Sequence, residues 1–144
     1  MMSRKLVLVV AAILGFYTCT CTADQPRQPF IHPLFSDNMV LQREVKTPVW
    51  GWTTPGAKVT VELDGKTVTC KAGADGKWLA ELPPHKAGGP FVLNVTGPET
   101  VSLKNVLLGD VWLCSGQSNM EMGIRMCFNG DEEVASAKYP EIRL

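Results

Sequence analysis

Ser118 is the residue of this chain whose type and setting best suit covalent chemistry. It lies in "LCSGQSNM", Leu113 to Met120, directly after an apolar run. A serine at a tight turn following a strand holds its hydroxyl clear of the backbone, where it can attack a carbonyl carbon. Gly116 allows the bend, and Gln117 and Asn119 flank the hydroxyl as turn and oxyanion support. Backbone amides at the mouth of a helix favour negative charge, which an ionising serine and a tetrahedral intermediate both develop. The chemistry is acyl transfer through a covalent intermediate.

The same residues have a plainer use. Ser118 or Asn119 can simply cap the following helix, and on spacing alone that cap is the favoured reading. The segment matches only part of the G-x-S-x-G pattern, because Met120 takes the place of its second glycine. Asp110 sits on the preceding strand and reads as a structural polar group. Glu121 and the acids Asp131 to Glu133 read as a solvated face matched to a helix dipole, not as paired catalytic carboxylates.

Elements that position the serine follow from pattern. "NVLLGDVWLCSG" is apolar almost throughout, as a strand covered on both faces is. Beyond the turn, "DEEVASAKYP" has acids first, alanines between, Lys138 late and Pro140 as a stop, which predicts a helix. "EIRL" then begins another apolar stretch, so strand, helix and incipient strand open a βαβ unit, cut off before it is complete. Upstream, apolar residues alternate. Val59, Val61 and Leu63 share one face, Asp64-Gly65 makes a hairpin turn, and Val68, Cys70 and Ala72 continue the buried face. Asp75-Gly76 repeats that device before Trp78, Ala80 and Leu82, and "PFVLNVTG" and "TVSLKNVLL" add two strands. The fold class is mainly β: a β-sandwich domain over 24–105, then the start of an α/β domain over 106–144. Trp50, Trp52, Trp78 and Trp112 read as core residues rather than sugar-stacking platforms.

Arg4 and Lys5 precede the apolar run Leu6 to Phe16 and the small-residue stretch "TCTCTA", the pattern of a signal peptide cleaved near Ala23. The run falls short of the roughly 20 apolar residues that span a bilayer, so no stable membrane span is expected after cleavage. The expected location is outside the cytoplasm, periplasmic or extracellular. Cleavage leaves 121 residues (144 − 23) with 12 basic and 14 acidic side chains, a balance of −2. No basic patch tracks phosphates, which argues against a nucleic-acid partner. Cys70, Cys114 and Cys127 remain, an odd number without metal-ligand spacing, and Cys114 reads as a small buried thiol. No metal or cofactor is expected.

Three segments carry a family resemblance: "LFSDNMVLQRE" (Leu34 to Glu44), "PVWGWTTPGAKVTV" (Pro48 to Val61) and "LLGDVWLCSGQSNMEM" (Leu107 to Met122). Together they resemble the amino-terminal part of the sialate O-acetylesterase family, secreted esterases whose hydrolase domain belongs to the SGNH superfamily. The resemblance implies that Ser118 is the nucleophile and that the substrate is an O-acetylated carbohydrate. It also implies an oxyanion-hole glycine and asparagine and a late Asp-x-x-His pair, none of which this sequence supplies. His32 and His85 both lie upstream of the serine, and neither follows an aspartate at that spacing. The chain is thus expected to be an amino-terminal fragment of a serine esterase, inactive alone. The rival expectation is a non-catalytic β-sandwich that binds carbohydrate or packs against another domain.

Overall fold

In the computed structural model, which describes residues 27–143, alternating apolar positions become strands. The expected signal segment lies outside the described residues. The strands are β1 (Val40–Gln42), β2 (Thr47–Trp52), β3 (Lys58–Leu63), β4 (Lys66–Lys71), β5 (Lys77–Leu82), β6 (Gly88–Thr96) and β7 (Thr100–Gly109); the helix α1 (Gly130–Ser136) follows them. β1, β7, β6, β3 and β4 form one sheet in that order, and β2 pairs with β5 in another. The described chain is mainly β, as the sequence predicts. None of its helices is long and apolar enough to cross a membrane.

Local sequence explains the hairpin between β3 and β4. Asp64 and Gly65 take φ of 49° and 68°, the pair of positive angles that a twisted two-residue turn requires. Leu63 then faces Lys66 across the ladder, and Val59, Val61 and Leu63 point inward and are fully buried. On β4, Val68 and Cys70 are only half-buried, because β4 is the edge of its sheet; Ala72 is buried. Burial pushes the Cys70 thiol above its ordinary pKa.

Asp75-Gly76 departs from the expected hairpin. It carries the chain from β4 to β5, which belongs to the other sheet and pairs with β2. Gly76 alone takes a positive φ there, while the Asp75 carboxylate accepts the Lys77 amide at 3.0 Å. A crossing between sheets needs a change of direction, not reversal within one ladder.

The inward faces of both sheets form one apolar cluster. Val49, Trp78, Ala80 and Leu82 come from β2 and β5; Val59, Val61, Leu63, Leu93, Val95, Val106 and Leu108 come from the larger sheet. Each fully buried Val or Leu contributes about 1.5–3 kcal/mol relative to leaving it exposed. The lead-in covers one edge of this cluster. His32 N donates to Trp50 O and Trp52 N donates to Pro29 O, so Phe30 is laid over Gly51. A Cβ on Gly51 would stand 2.0 Å from Phe30 O, which only glycine avoids. Trp78 is buried and its indole donates to Phe30 O at 2.8 Å, satisfying its one polar atom. Trp50 and Trp52 are half-buried and flank His32, with Trp50 also edge-on to Phe35.

The short strand β1 adds to β7 in parallel, with Leu41 opposite Leu108 and Gln42 opposite Gly109. β7 continues through Asn105 and Val106, the position of the expected domain boundary, with an irregularity in its register against β6 there. The apolar run from Val106 to Leu113 was expected to be one covered strand, and it is not. Val106, Leu107 and Leu108 are buried in β7, the strand ends at Gly109, and Val111, Trp112 and Leu113 are exposed. Among the described residues no strand or helix covers this second half, so its apolar character finds no burial. Trp112 is therefore not a core residue, nor is Cys114 a buried thiol.

Candidate active site

Position is set at the end of β7. Arg43 N donates to Gly109 O, continuing the β1–β7 ladder by one bond. Side chains then take over: Gln42 Oε1 accepts the Val111 amide at 2.8 Å, and Arg43 reaches both Asp110 carboxylate oxygens, at 2.9 and 3.2 Å. The hydrogen bond from Arg43 holds the Asp110 carboxyl below its ordinary pKa, and the carboxylate raises that of Arg43. Asp110 lies just past the end of β7 and not on the strand as the sequence suggests, and it is tied there to Arg43, a partner that the sequence does not reveal.

Ser118 opens a three-residue 3-10 turn, Ser118–Met120, in which Met120 N donates to Gln117 O and Glu121 N to Ser118 O. The Ser118 and Asn119 amides precede the first bonded amide of this turn, as amides at a helix start do. Gln117 is the residue at the cap position and makes no side-chain cap bond, so the expected capping by Ser118 or Asn119 is absent here. Gly116 takes no unusual φ; a Cβ there would stand 2.8 Å from Cγ of Met120, an exposed side chain that folds back over it and can shift. Gly116, Gln117, Ser118 and Asn119 are all exposed and contiguous, with the serine hydroxyl open to solvent.

A second 3-10 turn, Ile124–Met126, leads into α1. Gly130, buried where a Cβ would strike Ile124 O and Arg125 Cα, lets the two pack, and Arg125 pairs with Asp131 at 2.8 Å. Asp131, Glu132 and Glu133 occupy the first turn of α1 as expected, but the helix ends at Ser136, leaving Lys138 outside its last turn. At the far end of this stretch Arg143 donates to the carbonyl and side-chain oxygens of Asn105, the latter at 3.0 Å. Asn105 in turn donates to Asn38 Oδ1 at 2.7 Å.

Neither histidine is bonded to the serine. His32 Nδ1 accepts the Leu34 amide. His85 is buried in the β5–β6 connection, and neither of its ring nitrogens has a partner among the described residues. Those residues hold no group of His, Cys, Asp and Glu arranged to bind a metal. Among the described residues, the Ser118 hydroxyl therefore has no histidine beside it as a partner.

No family model matches the chain. Individual proteins do. Sialate O-acetylesterase of Mus musculus is 43% identical over 76% of this chain, and that of Homo sapiens is 41% identical over the same share. The chain spans 23% of the length of each of these curated relatives. Among solved structures, a carbohydrate acetylesterase from Xanthomonas citri superposes with a TM-score of 0.69 at 45% identity, over 76% of this chain and 26% of that one. Over the part that it shares with them, this chain is similar to the sialate O-acetylesterases.

Proposed function

We propose that this chain belongs to an exported serine esterase that removes O-acetyl groups from sialic acids or related carbohydrates, with Ser118 as its nucleophile. The observation that carries this reading is the identity of 41–45% to carbohydrate-directed acetylesterases over three-quarters of the chain. The geometry agrees with it: the hydroxyl is exposed at the first residue of a turn and is not used as a cap. Ser118 Oγ attacks the acetyl carbonyl, its proton passes to a histidine, and nearby amides hold the oxyanion. The sugar alkoxide leaves with that proton, and water then releases acetate from the acetyl-serine. In this reading the two-sheet unit serves as a β-sandwich domain, the segment after β7 opens an SGNH-type domain, and Gly116, Gln117 and Asn119 shape the turn.

Neither His32 nor His85 is the base in this reading; the relatives are several times longer, and the base lies in the further sequence that an enzyme of their length has. The purified 24–144 polypeptide accordingly hydrolyses an acetyl ester no faster than its Ser118→Ala variant. Equal loss of acetyl from O-acetylated sialic acid by wild-type and Ser118→Ala full-length enzyme would remove the serine from the mechanism.

A second reading has its own support. Every residue of the apolar cluster lies between Phe30 and Leu108, so the β unit completes a core without the serine segment. That favours a module able to stand alone, and glycan binding by the two-sheet unit without any dependence on Ser118 would support it.

A further inference from the structure

Two stretches far apart in sequence, Asp37–Arg43 and Lys104–Val111, meet along a parallel ladder that the esterase chemistry does not use. We propose that Asp37–Arg43 is a positioning brace for the Ser118-bearing stretch, gripping its entry through Gln42 and Arg43 and its exit through Asn38, Asn105 and Arg143. The proposal rests on the reading of Ser118 as nucleophile.

At the entry, the backbone ladder stops where Arg43 N meets Gly109 O. The bidentate contact of Arg43 with Asp110 then fixes the carboxylate in both position and plane, which a single contact cannot do. Gln42 Oε1 stands in for the next strand carbonyl by accepting the Val111 amide. Residues 110–129 are all exposed, so no buried contact sets the direction in which they leave β7. The side chains of Gln42 and Arg43 do so.

At the exit, Asn38 and Asn105 both take positive φ, 64° and 56°, a conformation that asparagine tolerates better than most residues. Their side chains meet at 2.7 Å, Asp37 Oδ1 accepts the Lys104 amide at 2.7 Å, and Arg143 closes onto Asn105 and onto Met39 O at 3.4 Å. The stretch from Asp110 to Arg143 is thus a loop whose entry is held by Gln42 and Arg43 and whose exit is held on Asn105, itself tied to Asn38, and on Met39 O, which restricts the conformations available between them. Because Asp110 is exposed and Arg43 only half-buried, their pairing adds little to global stability, and its consequence is placement.

The test compares the wild-type full-length protein with Arg43→Met, Gln42→Leu, Arg143→Met and the charge-exchanged pair Arg43→Asp/Asp110→Arg. Amide exchange by mass spectrometry and acetyl-ester kinetics are the readouts. Exchange of the Val111 amide, the one amide of 111–121 that the brace accepts, rises about tenfold in Arg43→Met, as expected of a local opening, while β3 and β6 stay as in the wild type. The value of kcat falls about tenfold at unchanged KM, as misplacement of a nucleophile predicts, and the charge-exchanged pair recovers most of both losses. Unchanged exchange of the Val111 amide, unchanged kcat in a variant whose exchange has risen, or a charge-exchanged pair no better than the single variant overturns the brace. If Ser118→Ala abolishes activity while these variants keep wild-type exchange and kcat, the brace falls and the esterase stands. A wild type without acetylesterase activity removes the esterase reading and the brace's positioning role with it, even where exchange shows a structural tie.

Discussion

The stretch from Phe30 to Leu108 and the stretch from Asp110 to Arg143 treat their apolar residues in opposite ways. In the first, Val49, Val59, Val61, Leu63, Leu82, Leu93, Val95 and Val106 are fully buried in one cluster. In the second, Trp112, Leu113, Met126 and Phe128 are each at least three-quarters exposed. The β unit supplies its own partners for burial, whereas the serine segment is held to it by polar ties at Arg43, Gln42 and Arg143. With Ser118 as the proposed nucleophile, stability and chemistry fall to different parts of the chain, and substitutions should separate them.

The largest separation is expected in the core. Leu63→Ala should cost about 2–5 kcal/mol in urea unfolding followed by circular dichroism, while Leu113→Ala should stay within about 0.5 kcal/mol. Similar losses at the two positions would mean that the second stretch has a core of its own. Next comes Gly51→Ala, where a methyl group meets the Phe30 backbone; about 1–3 kcal/mol should be lost, read as a lower unfolding midpoint. A change in the opposite direction is expected from His85→Phe. It replaces a buried ring with two unpartnered nitrogens by an apolar one, and should leave stability unchanged or raise it by about 1 kcal/mol. A marked loss there would point to a partner for His85 that the described residues do not show.

The smallest effect is the dependence on pH at the junction between the regions. Asp110 faces Arg43 and Gln42, and Arg43 also lies 3.3 Å from Glu44. Its folded pKa is lowered, so its contribution is present above the unfolded value of about 3.9 and is lost as pH falls through the folded value. Proteolysis within 111–128 should therefore quicken only in that acid range, and Asp110→Asn should remove the step. A step that persists in the variant would assign it to another carboxylate.

What the sequence made legible was local. Asp64-Gly65 announced a hairpin because its turn chemistry depends on two neighbouring residues, and the acids of α1 marked the helix start. Trp78, Ala80 and Leu82 declared a buried strand face by alternation alone. The parallel pairing of β1 with β7 joins residues 67 apart, such as Val40 and Leu107, and no periodicity within either strand encodes it. Arg43 as the partner of Asp110 was missed for the same reason, although Gln-Arg and Gly-Asp lie in two segments that carry the family resemblance. The break at Gly109 escaped because an apolar run shows what a strand would bury, not whether a covering layer is at hand. Ser118 stands out in the sequence by its turn and its resemblance, while its freedom from capping is visible only in the structure.

The central claim is that the Ser118 hydroxyl forms the acetyl-enzyme. Rapid acid quench of the full-length enzyme with excess O-acetylated sialic acid, followed by peptide mass spectrometry, should find one acetyl group on the peptide that contains Ser118. The label should be absent in Ser118→Ala, whose turnover should fall by about 10³-fold or more. Acetyl on another residue, or turnover that survives the substitution, would contradict the account.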